Sequence, residues 1–159
     1  MGIHLPGALR EAQAFIGLPF PATDEAALRG RAQDWQQLAQ HAAQTLARID
    51  QAATAVGAEN EGDAVREFQT FMSSGGGNVG SLRDFQRACQ AAALAHGIAA
   101  AGIAALKMFT IAQLGVVQSV LTVAKAVPQA VPVAMQVRQQ AFVAIQQATM
   151  QAATQLRAG

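Results

Sequence analysis

Apolar residues between positions 24 and 56 recur at Leu28, Ala32, Trp35, Ala39, Ala42, Leu46, Ile49, Ala53 and Val56, in steps that alternate four and three. This is a heptad seam. It predicts one long helix that supercoils left-handedly against a neighbour. Thr23 or Asp24 is placed to cap it, and Asp24 and Glu25 suit its positive end. At about 1.5 Å per residue the rod is about 50 Å long. Gly57 is expected to stop it. A second helix is expected from about Gly62, with Val65, Phe68, Phe71 and Met72 on one side. The run Ser73-Ser74-Gly75-Gly76-Gly77-Asn78 reads as a flexible loop.

Ser81 followed by Asp84 resembles a capping box, and a helix is expected from there to Val127, about 70 Å long. One seam on it reads Leu82, Phe85, Cys89, Ala92, His96, Ala99, Ile103, Leu106; a second face carries Leu94, Ile98, Ala105, Phe109, Ala112 and Val116. A helix apolar on more than one face belongs in the middle of a bundle or in a membrane. Pro128 and Pro132 are expected to break it. A last helix is expected over 133–156, with the stripe Ala134, Val137, Ala141, Ile145, Ala148, Ala152. Ahead of all these, residues 7–16 can form a short helix. The stretch Gly17-Leu18-Pro19-Phe20-Pro21 then forces an extended turn, because a residue before proline is pushed out of the helical region. The pattern gives an all-α fold: one domain over 1–159, an elongated bundle of about five helices with a central antiparallel helical hairpin. Its parts are 1–80 (N-terminal helices and hairpin turn), 81–127 (long central helix) and 128–159 (C-terminal helix). The seams place Trp35, Leu28, Leu46, Ile49, Phe68, Phe71, Leu82, Phe85, Ile103 and Leu106 at structural or interaction positions. Gly62 falls at the expected start of the second helix.

Composition sharpens this picture. Apolar residues make up 52% of the 159 and charged residues 13%, where about a quarter is usual. Long helices with so little charge must turn much of their surface toward protein or lipid. The charge is also uneven. Residues 1–84 carry six Arg and ten acids, a net of −4, while 85–159 carry Arg87, Lys107, Lys125, Arg138 and Arg157 and no acid, a net of +5. The acid-free half is expected to pack against its own acidic half or against a partner. Five charges spread over 75 residues form no basic patch, and the few aromatics form no stacking platform, so nucleic acid is not an expected partner.

Candidate chemistry is sparse. Cys89 is alone, so no internal disulfide exists. His4 and His41 are far apart in sequence, and Cys89 and His96 lie about 10 Å apart along one helix, too far to share a metal. Neither a metal nor a cofactor is expected. Gly75-Gly76-Gly77 has no following Lys-Ser/Thr and reads as a linker. Asp34, Asp50, Glu59, Glu61, Asp63 and Glu67 read as solvated carboxylates rather than an acid–base pair. Trp35 lies on the seam as a core or interface anchor. No enzymatic constellation emerges. Residues 88–106 and 108–124 lack formal charge, which raises the alternative of a membrane-active protein that inserts through 81–127. Against it, Lys107 would sit in the middle of a continuous span. The N-terminus lacks the basic region of a Sec signal.

The run MGIHLPGALREAQAFIGLPFPATDEAALRGRAQDWQQLA resembles the start of the WXG-like (Esx-type) N-terminal domains of actinobacterial type VII secretion polymorphic toxins, including the channel-and-necrotising-toxin type. Leu5-Pro6-Gly7, Ile16-Gly17, Pro21, Asp24-Glu25, Leu28 and Trp35 carry the resemblance. It covers roughly residues 1–100 and continues beyond only in composition and helix layout. In that family a Trp-x-Gly turn joins two antiparallel helices, with an aromatic six residues after the Gly. Here Asn60-Glu61-Gly62 occupies the turn, with Asn60 in the Trp place and Phe68 as the aromatic. The usual Tyr-x-x-x-Asp/Glu export signal is absent, since there is no Tyr. The resemblance implies a non-enzymatic targeting or interaction module with a helical protein partner: a second copy, an Esx-like protein or the secretion apparatus. It implies a homo- or hetero-oligomer, cytoplasmic before export and secreted by a non-Sec route.

Overall fold

The computed structural model describes residues 2–74 and 77–158 and is all-α, with no strand among the described residues. A 3-10 turn at Gly7–Leu9 leads into α1 (Arg10–Ile16); α2 (Glu25–Glu59), α3 (Asp63–Ser73), α4 (Gly77–Ala126) and, after a 3-10 turn at Pro128–Ala130, α5 (Val131–Ala158) follow.

Capping chemistry explains most boundaries. Gly17 ends α1 in the left-handed conformation at φ 81°, where glycine carries no Cβ penalty. Asp24 caps α2: its Oδ1 accepts from the N–H groups of Ala26 (2.9 Å) and Ala27 (3.3 Å). Gly62 stands at φ 117°, ψ 176°, a region open in practice only to glycine, and it sets the start of α3.

Four boundaries differ from the sequence reading. Gly57 does not stop α2, which runs on to Glu59; one interior glycine costs a helix only about 1 kcal/mol, and tertiary packing covers that. α4 starts at Gly77, so Ser81 is no cap, and its hydroxyl donates to the Gly77 carbonyl inside the helix. Within the expected 73–78 loop, Ser73 ends α3 and Gly77 opens α4; Gly75 and Gly76 lie outside the described residues. Pro132 does not break a helix. It is the second residue of α5, where its missing N–H would be unpaired anyway.

The chain divides into two compact units: residues 1–29 with 97–159, and residues 30–96. In the first, α1 packs on α4 and α5 around Ala12, Ile16, Leu114, Val117, Ala141 and Ile145, with Leu5, Leu9, Phe15, Leu18, Leu121, Val137 and Phe142 against them. In the second, the chain reverses after Asn60 and α3 returns beside the end of α2. A Cβ on Gly57 would overlap the Gln69 amide, and Arg83 reaches Asp50 at 4.0 Å. Ala39, Ala42, Leu46, Val79 and Cys89 are its buried apolar residues.

Candidate interaction face

Two polar residues lie where heptads place apolar ones. The α2 seam extends back one step from Leu28 to Glu25, which is 1% exposed. The buried line of α4 reads Val79, Leu82, Gln86, Cys89, Ala93, His96, Ala100, Ile103, Lys107, Thr110, Leu114, Val117. Its steps alternate three and four without a break, and every member is buried or half-buried. Lys107 is 3% exposed. A charge that deep must be paired, and Lys107 Nζ donates to Glu25 Oε2 at 2.7 Å and to the Ile3 carbonyl at 3.0 Å. The Ile3 N–H donates to Glu25 Oε1, and the Phe20 ring lies 5.9 Å from Nζ. The pair thus grips both backbone polar groups of one residue in the N-terminal segment. The Lys107 hydrogen bond and then the Ile3 N–H hold the Glu25 carboxyl down at about 2.

Lys125 and Arg138 of this unit are occupied as well. Lys125 pairs with Glu11 at 2.5 Å, and that contact, followed by the Gln118 amide, lowers the Glu11 carboxyl below its ordinary value. Gln118 also accepts from the Ala12 N–H at 3.2 Å. Arg138 donates to the Phe15 carbonyl at 2.6 Å and stacks 5.6 Å from its ring. Basic groups of the acid-free segment therefore meet acids and carbonyls of residues 1–29 within one unit.

With Lys107 turned inward, the outer face of α4 between positions 98 and 123 is left without charge. Ile98, Ala101, Ala105, Met108, Phe109, Ala112, Val116, Ser119 and Val123 are all exposed, Met108 by 58% and Val116 by 54%. With Met108 and Phe109 counted as one position, 98 to 123 takes seven steps, a mean of about 3.6 residues, so the stripe follows the helix axis. No charged side chain interrupts it. The sequence pattern marks this second face as one for a bundle interior or a membrane, and among the described residues nothing covers it.

The other residues singled out from sequence are spread over both units. Leu46 and Ile103 are buried; Leu28, Trp35, Ile49, Leu82 and Leu106 are half-buried. Phe68, Phe71 and Phe85 are exposed. Phe85 falls off the seam because the buried line of α4 passes through Leu82 and Gln86 instead. Val56 is exposed because the α2 line ends on Gly57. The carboxylates Asp34, Asp50, Glu59, Glu61, Asp63 and Glu67 are exposed. Among the described residues no group of three His, Cys, Asp or Glu is placed to hold a metal, and no buried side-chain polar atom lacks a partner.

The fold and this face define an all-α protein with two nested units and one long, uncharged, exposed helix stripe. No family model, curated protein or solved structure matches the chain.

Proposed function

We propose that the protein is a non-enzymatic helical interaction module that binds a helical protein partner through the outer face of α4. The observation that carries this reading is the stripe from Ile98 to Val123. An apolar face about 40 Å long at helical period offers a second helix a continuous row of contacts, and exposed patches of this extent usually mark interaction sites. The resemblance of residues 1–100 to the WXG-like N-terminal domains of type VII secretion toxins supports a role in targeting a secreted effector. Without a Tyr-x-x-x-Asp/Glu signal in this chain, the partner supplies the recognition element in trans.

A second reading, insertion of α4 into a membrane, has one observation behind it. The helical stretch ending at Ala126 is long and apolar enough to cross a bilayer, and its most apolar 18-residue window has a mean hydropathy of 1.7. Insertion would strip Lys107 from Glu25 and from Ile3, leaving an ammonium at the depth where it costs most. The protein reading keeps that pair intact.

Co-expression tests the proposal. Tagged wild-type chain and the double variant M108E/F109E are expressed in a host carrying a type VII secretion system, with and without the small Esx-like helical proteins of that host. Soluble co-purification and export that need a neighbour and are lost in M108E/F109E are the expected results. Wild-type protein found only in the membrane pellet replaces this reading with insertion.

A further inference from the structure

We propose that the turn joining α4 to α5 docks on an anionic bilayer, its valines reaching the boundary between headgroups and acyl chains while the rest of α4 stays out of the lipid. The inference is independent of the reading of the outer α4 face and concerns the end of that helix.

Residues 120–135 read Val-Leu-Thr-Val-Ala-Lys-Ala-Val-Pro-Gln-Ala-Val-Pro-Val-Ala-Met. A turn that faces water usually carries Gly, Asn, Asp or Ser, and this one has none of them. Val123, Val127, Val131, Val133 and Met135 are each 45–53% exposed, with Pro128 and Pro132 exposed between them. Direction decides between lipid and protein as the cover. At about 100° per residue, the exposed arc from Val131 through Pro132 to Val133 wraps about 200° of the first turn of α5, and Val123 and Val127 add the α4 side. One protein face covers one side of a helix, whereas an acyl layer surrounds an apolar end on every side.

The backbone fits that cover. An apolar layer tolerates few free N–H groups. The N–H groups of Val127, Ala130 and Val131 donate to the carbonyls of Val123, Val127 and Pro128, and Pro128 and Pro132 have none to donate. Among residues 127–132 only the Gln129 N–H lies outside these bonds. The last carbonyls of α4 still need water, which suits a turn seated about 5–10 Å deep rather than a helix that spans. Charge selects the lipid class. No acid occurs from 85 to 159. Lys125, three residues before Pro128, is 62% exposed at its side chain even while paired with Glu11, and it stands where headgroup phosphates attract a cation once the valines are seated. Lys107 keeps its pair with Glu25 throughout, since the middle of α4 never enters lipid.

Flotation of the whole chain with vesicles tests this, with far-UV circular dichroism to confirm that each variant keeps its helix content. Wild type is expected to float with phosphatidylcholine vesicles containing about 30% phosphatidylglycerol, and several-fold less with phosphatidylcholine alone. V127S/V131S, which removes apolar side chains without adding charge, should lose binding about tenfold or more, while M108S/F109S on the outer face should float as wild type does. An environment-sensitive fluorophore on Val131→Cys should brighten with the anionic vesicles and one on Ala105→Cys should not; Cys89 is buried. A wild-type chain that stays off both vesicles overturns the proposal and leaves a protein as the cover of the turn. V127S/V131S floating as well as wild type overturns it too, and brightening at position 105 replaces it with a spanning helix. Co-purification of a helical partner with V127S/V131S keeps the two readings separable: loss of vesicle binding with the partner retained leaves the outer-face proposal standing.

Discussion

Glu25 is the residue whose environment departs furthest from what its type suggests. Its folded carboxyl titrates at about 2, below the ordinary 4.5. A depressed acid stabilises the fold fully above the unfolded value and loses that contribution as pH falls from about 4.5 toward 2. Thermal melting across this window should therefore fall more steeply for wild type than for Glu25→Gln, which cannot titrate; parallel curves would mean the pair does not couple to folding. At neutral pH Glu25→Gln should melt lower than wild type because it leaves Lys107 buried without its counter-charge. Replacing both partners with apolar residues, E25L/K107M, should recover much of the loss. The two turn-region glycines make opposite predictions. Gly62→Ala forces a Cβ into a conformation only glycine adopts and should cost about 1–3 kcal/mol. Gly57→Ala meets only the flexible end of Gln69 and should be neutral or stabilise by up to about 1 kcal/mol through helix propensity. Urea midpoints of the two variants check both.

At the scale of the helix, periodicity was the informative signal, and its failures come from stopping at polar residues. The α2 seam was legible from Leu28 to Ala53, and Asp24 was legible as a cap candidate, because alternating steps of four and three are distinctive. On α4 the sequence pattern runs from Leu82 through Phe85 and His96 to Leu106. It shares Leu82, Cys89, His96 and Ile103 with the buried line but falls one position short at the members between, where the buried line takes Gln86, Ala93, Ala100 and Lys107. Carrying the α2 heptad back through Glu25, and weighing Gln86 and Lys107 against Phe85 and Leu106 on α4, would have put Glu25 and Lys107 at seam positions and suggested their pairing. What no local pattern could show is that the second apolar face of α4 lies open, since exposure depends on where the other helices pack. The two faces of α4 should answer substitution differently. Leu114→Ala, at a site 2% exposed, should cost about 2–5 kcal/mol. Val116→Ala, two residues away on the stripe, should shift stability by under about 0.5 kcal/mol. Equal losses in denaturant titration would mean the stripe is covered.

At the scale of the whole molecule, the continuous unit 30–96 sits in sequence inside a discontinuous one built from 1–29 and 97–159. This nesting imposes an order in time. During synthesis the opening residues, with Leu5, Leu9 and Ile16 among them, emerge long before Leu114, Val117 and Ile145, the side chains that cover them. Until then they wait as an uncovered apolar segment, open to chaperones or to premature contact with another chain. The intervening segment meets no such delay, since its partners lie within one uninterrupted run. Closing the outer unit brings residue 3 to residue 107, but the entropy of joining distant points grows only logarithmically with the intervening length. The delay is therefore one of availability more than of search. Pulse-labelled hydrogen exchange during refolding separates these contributions: with the whole chain present from the start, amides of α1 should gain protection at nearly the same rate as those of 39–46. On a ribosome stalled before residue 97, α1 should stay unprotected, although it is made before α2, α3 and α4.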